Sequence, residues 1–322
     1  MALSEFELID RYFRRPARAA ILGVGDDAAL VAPTPGCELA VSTDMLVAGR
    51  HFFPEADPQS LGHKALAVNL SDLAAMGARP RWALLAVALE QAEPAWLEAF
   101  ARGFFALADE HGVELIGGDT TRGPLNLCVT ILGELPSGQA LRRSGAKAGD
   151  DVYVSGRLGD AALAVAHRRG RVALAREELE HCDAALARPT PRVRLGERLR
   201  GTATAAIDLS DGLLGDLGHV LEASRVGATI ELAALPRSPA IDHRLRGPGR
   251  SLALECLLAG GDDYELCFTA PACAASALQS ISAAAGLALS RVGRIEARSG
   301  IVVRDEDGHS LAALPLAFDH FR

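Results

Sequence analysis

One stretch of the chain constrains its fold more than any other. Residues 65–78 read ALAVNLSDLAAMGA, in which Leu66, Leu70 and Leu73 recur at helical spacing. Because the stretch is apolar on nearly every face, it predicts a helix that is buried all round. A carboxylate in such a helix, here Asp72, is costly unless it is neutralised, paired or bound to a metal ion. Asp72 therefore needs a partner, and the candidates are an arginine or a divalent cation.

The rest of the chain alternates apolar runs with helical periods, which predicts sheets covered by helices in an α/β (α+β) fold. A length of 322 residues suits two domains, and the polar, glycine-bearing segment 136–150 predicts the boundary between 1–138 and 139–322. The predicted strands are Leu39–Val41, Trp82–Leu89, Val113–Ile116, Leu127–Leu132, Val152–Val154, Thr204–Ile207, Thr229–Leu232, Tyr264–Thr269 and Ile301–Val303. The predicted helices besides 65–78 are Pro94–Ala108, Leu158–Arg169, Leu213–Ser224 and Cys273–Ala285.

The charge balance argues against a polyanionic partner. Lys and Arg total 33 against 41 Asp and Glu, so the net charge is −8, whereas nucleic acids and anionic membranes are bound mainly through clustered positive charge. The N-terminus lacks a basic segment followed by an apolar one, and no apolar window approaches the roughly 20 residues that span a bilayer. We expect a soluble, cytoplasmic protein that binds neither nucleic acid nor membrane.

Aspartates recur where apolar elements end. Asp26 and Asp27, Asp44, Asp119, and Asp208 with Asp211 each follow such a run. For any single one of them a helix cap or a salt bridge is the simpler interpretation, but the repetition favours a shared role. Oxygen ligands select hard cations, and Mg²⁺ takes one or two carboxylates together with substrate phosphates. The pattern therefore indicates a site for a metal-bound polyphosphate.

The common nucleotide motifs are absent or unsuitable. The chain has no Gly-Lys pair, which excludes a P-loop. Gly23-x-Gly25-x-x-Ala28 matches a relaxed dinucleotide fingerprint, but its middle residues Asp26 and Asp27 would repel a bare pyrophosphate, so we reject it.

Three further positions keep two interpretations each. Ser210 or Asp211 could cap the following helix, whose N-terminus could also bind phosphate beside a metal held by Asp208. Arg142 and Arg143 could reach a phosphate or remain solvated linker charges. His51 could contact substrate or serve as a structural hydrogen-bonding group.

Taken together, the motifs resemble the thiamine-monophosphate kinase family, in order and over essentially the whole chain. That family lies within a wider ATP-binding group that includes aminoimidazole ribonucleotide synthetase and selenophosphate synthetase. The motifs are GVGDDAA at 23–29, STD at 42–44, NLSDLAAMG at 69–77, GGDTTRG at 117–123, RSGAK at 143–147, DLSDGL at 208–213 and GGDDYEL at 260–266.

The resemblance implies two mixed-sheet α/β domains of the aminoimidazole ribonucleotide synthetase-like type. The N-terminal domain would bind ATP and Mg²⁺ and form a homodimer, and the C-terminal domain would complete the nucleotide and substrate site. The implied reaction is direct in-line transfer of the γ-phosphoryl group of ATP to thiamine monophosphate, assisted by several Mg²⁺ ions, which gives thiamine diphosphate. The alternatives are another ATP-dependent synthetase of the same group and a non-catalytic Mg-nucleotide-binding protein.

The resemblance also implies roles for individual residues. The catalytic residues would be Asp44, Asp72 and Asp211, and the ATP contacts Gly118, Asp119, Arg143 and Ser210. His51, Asp262 and Phe318 would bind thiamine monophosphate. The metal ligands, direct or through water, would be Asp27, Ser42, Thr43, Asp44, Asp72, Asp119, Asp208 and Asp211. Two positions depart from the family pattern: Asp262 replaces a usual Glu, and Phe318 stands where a larger aromatic residue is common.

Overall fold

The computed structural model describes residues 4–316, which divide into two compact units. The first unit runs to Leu73 and resumes over Ala78–Gly138, and the second contains Ala74–Gly77 and the chain from Gln139 onward. Each unit has one sheet with both parallel and antiparallel pairs, so the prediction of two mixed-sheet α/β domains is confirmed.

The first unit has a four-stranded sheet in the order β1-β4-β2-β3. Its strands are β1 (Cys37–Val47), β2 (Arg79–Leu89), β3 (Glu114–Arg122) and β4 (Asn126–Pro136). Strand β4 pairs antiparallel with β1 and β2, whereas β2 and β3 are parallel. A parallel pair needs a crossover connection, and α3 (Pro94–His111) supplies it.

Helices α2 (Pro58–Ala75) and α3 approach each other at two glycines. A Cβ on Gly62 would lie 2.1 Å from the carbonyl oxygen of Phe100, and one on Gly103 would lie 1.8 Å from that of Gln59. This backbone contact helps to bury α2, whose Leu66 and Leu70 have no exposed surface. Helix α3 begins with Pro94, as predicted, and ends before Gly112, whose φ of 67° is left-handed.

The second unit has a six-stranded sheet in the order β10-β7-β9-β5-β8-β6. Its strands are β5 (Asp151–Ser155), β6 (Ala205–Asp208), β7 (Gly227–Glu231), β8 (Leu266–Ala270), β9 (Leu289–Glu296) and β10 (Gly300–Arg304). Its helices are α4 (Asp160–Arg168), α5 (Arg176–Ala187), α6 (Val193–Leu199), α7 (Leu213–Ser224), α8 (Pro239–Leu245), α9 (Arg250–Ala259) and α10 (Ala275–Ala285).

The chain opens with a short helix, α1 (Glu5–Leu8), that continues as one turn of π-helix over Ile9–Phe13. The sequence analysis predicted neither of these, nor β9, α5, α6, α8 and α9. Within residues 4–316, no helix combines the length and the apolar character needed to cross a membrane.

Candidate active site

The carboxylate of Asp72 contacts the middle of strand β1. The Ser42 hydroxyl donates to Asp72 Oδ2 at 2.5 Å. One turn earlier, Asn69 accepts the backbone N–H of Asp44 at 3.2 Å and donates to the carbonyl of Ala65 at 3.0 Å. Helix α2 thus holds the Ser-Thr-Asp segment through two polar side chains, and it brings Ser42, Asp44 and Asp72 together.

Thr43 lies on the other face of β1. Its hydroxyl bonds that of Thr130 at 2.8 Å, across the β1–β4 pair in which the two residues face each other. Side chains alternate between the faces of a strand, so Thr43 points away from the side on which Ser42 contacts Asp72. The predicted ligand set is therefore divided between two faces, and Thr43 could join Ser42 at one ion only through its backbone.

A pocket of about 1130 Å³ lies on the first unit, between the N-terminal segment and the sheet. Its apolar lining comes from the sheet and from α1 and the π-helical turn, and includes Leu84, Leu132 and Phe13. Predicted site residues also line it: Asp27, Gly118 and Asp119, with Asp26 beside them. The pocket therefore combines an apolar lining with exposed carboxylates.

Gly118 has to be glycine. Its φ is 149°, and a Cβ there would lie 1.9 Å from the carbonyl oxygen of Leu85 on the neighbouring strand. The backbone of 117–119 can therefore approach a ligand without a side chain intervening. Asp119, which follows it directly, is exposed.

The segment that leads into the pocket is fixed by a carboxylate that the sequence analysis missed. Glu114, the first residue of β3, accepts the backbone N–H groups of Arg18, Ala19 and Ala20 at 2.7, 2.7 and 3.0 Å. Beside it, the Arg15 guanidinium lies 3.6 Å from the centre of the Phe105 ring. A charged residue at the start of a strand gives no sequence signal for such a distant contact.

His51 makes a structural hydrogen bond that also fixes which ring nitrogen carries the proton. Its Nδ1 accepts the backbone N–H of Val47 at 3.0 Å, which closes the turn after β1. An accepting Nδ1 carries no proton, so the neutral ring has its proton on Nε2. A ligand contact by His51 would therefore use Nε2.

In the second unit, β6 ends at Asp208, which is 6% exposed, and the chain turns through Leu209–Gly212 into α7. The prediction that Ser210 or Asp211 caps this helix is wrong: the N-cap is Gly212, without a side-chain cap. Asp216 reaches back instead, and its Oδ2 accepts the N–H groups of Ser210, Asp211 and Gly212 at 3.0, 3.1 and 3.1 Å. An internal carboxylate thus binds the N-cap N–H and the two N–H groups before it, at the helix start that was considered for a phosphate.

Burial decides the charge behaviour of Asp216. The residue is 3% exposed, and loss of solvation raises the pKa of its carboxyl to about 7, although the hydrogen bonds from Asp211, Ser210 and Gly212 act in the opposite direction. The sequence offered one signal for Asp216: an aspartate in the first turn of a helix lies near the positive end of the helix dipole, where it can bind backbone N–H groups.

The Gly260–Glu265 loop lies beside this turn. The N–H of Asp262 donates to the carbonyl of Ser210 at 2.9 Å, and that of Tyr264 to the carbonyl of Leu209 at 2.8 Å. Asp262 and Tyr264 have φ values of 69° and 48°, a region that L-residues rarely adopt. The structure therefore brings Asp262 next to Ser210, two residues that the sequence analysis assigned to different ligands.

Two carboxylates of this loop, the buried Glu265 and the half-buried Asp263, tie it to neighbouring elements. Glu265 is 5% exposed, accepts the Ser155 hydroxyl at 2.5 Å and forms a two-pronged ion pair with Arg192, one of whose bonds measures 2.6 Å. Asp263 accepts the N–H of Gly159, which caps α4, at 2.9 Å. Burial raises the pKa of Asp263 well above its ordinary value.

Arg143 precedes this region in the chain and belongs to the second unit. Its side chain is exposed, and its carbonyl accepts the hydroxyl of Ser224, the last residue of α7, at 3.2 Å. Its neighbour Arg142 accepts the N–H of Ala206 on β6 at 2.9 Å. The backbone is thus fixed while the guanidinium remains accessible. Phe318 lies outside the described residues.

The donors fit a hard cation. Ser42, Asp44 and Asp72 offer only oxygen, as Mg²⁺ prefers. Across residues 4–316, one group of three carboxylate or imidazole ligand atoms lies within 4.8 Å, at Asp305, Asp307 and His309 in an exposed loop. The predicted ligands form no such group of three within the same residues. Mg²⁺ usually binds one or two carboxylates and completes its shell with phosphate and water, so a cluster of three protein ligands is not required for a magnesium site.

Comparison with known proteins places the chain in a family. Its residues 25–135 match the model of the AIR synthase related protein, N-terminal domain, and residues 147–306 match the C-terminal domain of the same family. The chain is 45% identical over 325 aligned residues to the thiamine-monophosphate kinase of Salmonella typhimurium, covering 100% of this chain and 99% of that protein.

Solved structures agree with this relationship. The thiamine-monophosphate kinase of Stenotrophomonas maltophilia has 50% sequence identity and a TM-score of 0.85, covering 97% of this chain and 99% of that one. AaThiL, solved in complex with AMPPCP and TMP, has 29% identity and a TM-score of 0.77, covering 90% and 89% of the two chains. The chain therefore belongs to the thiamine-monophosphate kinase family, whose two domains are of the AIR synthase-related type.

Proposed function

We propose that the protein transfers the γ-phosphoryl group of ATP to thiamine monophosphate, which yields thiamine diphosphate and ADP. The observation that carries the proposal is end-to-end similarity to thiamine-monophosphate kinases, at 45% identity over 100% of the chain. A relative of the same fold was solved with AMPPCP and TMP together, which suits a reaction between a nucleotide and a second phosphate compound.

The pocket of the first unit is the proposed binding place of the nucleotide. An apolar lining with exposed polar groups at one side suits a nucleoside whose phosphates extend towards Gly118 and Asp119. Arg143 and Ser210 are the other proposed nucleotide contacts. An accessible guanidinium can bind phosphate oxygens through two parallel hydrogen bonds.

Oxygen ligands would hold the metal ions. The proposed ligands are Asp27, Ser42, Thr43, Asp44, Asp72, Asp119, Asp208 and Asp211. When bound, Mg²⁺ supplies positive charge that offsets the repulsion between donor and acceptor phosphates. The Ser42–Asp72 contact orients the Asp72 carboxylate, because the hydroxyl donates to Oδ2.

The reaction needs positioning more than proton transfer. A phosphate oxygen of thiamine monophosphate attacks the γ-phosphorus, the bond to the bridging oxygen of ADP breaks, and the electron pair leaves with ADP. Because the attacking oxygen is already anionic, no general base has to remove a proton from it. The residues of this chain therefore act by holding both phosphates in line, and Asp44, Asp72 and Asp211 would take their catalytic role by holding the Mg²⁺ ions that bind those phosphates.

Substrate recognition would involve His51 and Asp262. His51 presents a polar N–H on Nε2 while Nδ1 anchors the turn, which suits a hydrogen bond to a phosphate or pyrimidine acceptor. Asp262 has a side chain one methylene shorter than the Glu usual in the family, and its strained backbone fixes where the carboxylate begins. Phe318 would stack on a substrate ring.

An exposed apolar row supports a homodimer through the first unit. Leu39, Val41 and Met45 on one face of the edge strand β1 are 37%, 60% and 53% exposed. Apolar side chains repeated along one face of an edge strand are typical of a surface that another chain covers. A second copy of this chain is the proposed partner.

An ADP-release assay with separate acceptors tests the proposed function. ADP should form in step with thiamine diphosphate when ATP, Mg²⁺ and thiamine monophosphate are present, and not when thiamine replaces the monophosphate. Turnover with an amide or selenide acceptor instead would indicate a synthetase of the wider group. Binding of Mg-ATP without turnover on any acceptor would indicate a non-catalytic nucleotide-binding protein.

A further inference from the structure

The turn Asp208–Gly212 contains three residues with proposed ligand roles, yet its backbone is organised by a fourth residue that has none. Asp216 Oδ2 accepts three consecutive N–H groups, those of Ser210, Asp211 and Gly212, at 3.0 to 3.1 Å. A single oxygen that collects three donors fixes their relative orientation, and with it the directions in which the Ser210 and Asp211 side chains leave the backbone.

Other backbone bonds hold the turn at Leu209, whose N–H donates to the carbonyl of Glu265 at 2.9 Å and whose carbonyl accepts the N–H of Tyr264 at 2.8 Å. Gly212 has a φ of 106°, and a Cβ there would lie 2.6 Å from the backbone of Ala259, so the turn has no side chain of its own at the helix start. On its other side, the carbonyl of Ser210 accepts the N–H of Asp262. A shift of the turn would therefore move the proposed nucleotide contact Ser210, the metal ligand Asp211 and the substrate contact Asp262 together.

We propose that Asp216 is a positioning residue for the nucleotide and metal contacts of the second unit. This inference rests on the proposed function, since it is the Mg-nucleotide that Ser210 and Asp211 are taken to bind. Asp216 touches no substrate. It acts through the turn, because its hold on the three N–H groups sets the directions of the side chains that the turn presents to the nucleotide.

The test compares Asp216→Asn and Asp216→Ala with a matched control, Asp151→Asn. Asp151 is also a buried carboxylate of the second unit, at the start of β5, where it pairs with Arg291 at 2.7 Å. Asparagine keeps the size and one acceptor oxygen but removes the charge, whereas alanine removes the acceptor. Hydrogen exchange of peptides covering 208–213 and calorimetric titration with AMPPCP and Mg²⁺ are measured for the full-length protein, with Tm and steady-state kinetics alongside.

The expected result is graded. Asp216→Asn should speed exchange of the 208–213 amides and weaken AMPPCP binding by about tenfold, and Asp216→Ala by about a hundredfold, since Asn keeps one acceptor oxygen for the three N–H groups and Ala keeps none. KM for ATP should rise, and KM for thiamine monophosphate should rise with it, because Asp262 is hydrogen-bonded to the same turn. Asp151→Asn should lower Tm without moving either the 208–213 exchange or the affinity.

Two outcomes would overturn the inference. One is unchanged exchange at 208–213 in both Asp216 variants. The other is faster exchange with unchanged AMPPCP affinity, which would confine Asp216 to a structural role. Failure of the proposed function is recognised separately, because the unmodified protein would then bind no nucleotide or phosphorylate no thiamine monophosphate.

Discussion

The ion pair beneath the Gly260–Glu265 loop gives a prediction whose size follows from its burial. The side chains of Glu265 and Arg192 are 7% and 20% exposed, and Glu265 also accepts the Ser155 hydroxyl. Removal of one member of such a pair leaves an uncompensated buried charge, which costs about 3–5 kcal/mol. Arg192→Met should therefore lower the free energy of unfolding by that amount. At roughly 2–4 °C per kcal/mol for a domain of this size, Tm should fall by about 10 °C.

A double-mutant cycle separates the charge from the packing. Glu265→Gln alone should lower the free energy of unfolding somewhat less than Arg192→Met does, since Gln can still accept from Ser155. The double variant should be more stable than Arg192→Met, because it no longer contains the unpaired buried carboxylate of Glu265. Urea unfolding followed by circular dichroism measures all four free energies. Strict additivity of the two single losses, or a loss below about 1 kcal/mol for Arg192→Met, would refute the assignment of the pair as a buried support.

Three further predictions follow from particular contacts. Asp72→Asn should lower kcat by about a hundredfold with little change in Tm, while Asp183→Asn, which alters an exposed ion pair with Arg168, should leave kcat unchanged; equal kcat for both would remove the catalytic role of Asp72. Glu114→Gln should lower the free energy of unfolding by about 1–2 kcal/mol and expose residues 14–20 to proteolysis, because three backbone N–H groups lose a charged acceptor. An unchanged cleavage pattern would contradict this. The hydrogen bond from Arg244 lowers the pKa of Glu178 below 4.5, so the stabilisation that this pair gives is present above that pH and lost as the pH falls through the lowered pKa. In urea unfolding, Glu178→Gln should therefore lower the free energy of unfolding at pH 7, and it should lower it less at an acidic pH below the lowered pKa. An equal loss at the two pH values would contradict this prediction.

Sequence patterns predicted the buried elements well and the exposed ones poorly. Helix α2 and the strands β2 and β4 consist of apolar residues in long runs, so burial determined their structure. Helix α5 reads REELEHCDAALA and buries only Cys182 and Leu186, too few contacts to show a period. Strand β9 carries Arg291 and Arg294 on a central strand of the sheet, where charged residues are unusual, and it gave no signal.

The residues of the candidate site were recognisable because they lie in long motifs, but their supports were not. Asp216, Glu114 and the Arg192–Glu265 pair act over distances in sequence of 4 to 96 residues. A charged residue that folds back onto backbone N–H groups has the same sequence appearance as one that faces water. The pairing of Asp262 with Ser210 likewise depends on a left-handed backbone at a position that is not glycine. Only the folded chain reveals such contacts.

The most direct test of the central claim follows the label from [γ-³²P]ATP. In a single turnover with thiamine monophosphate and Mg²⁺, we expect the label to pass to the terminal phosphate of thiamine diphosphate, with ADP formed in equal amount and at the same rate. Label retained on the protein, or released as inorganic phosphate while thiamine monophosphate stays unchanged, would contradict direct transfer between the two phosphates.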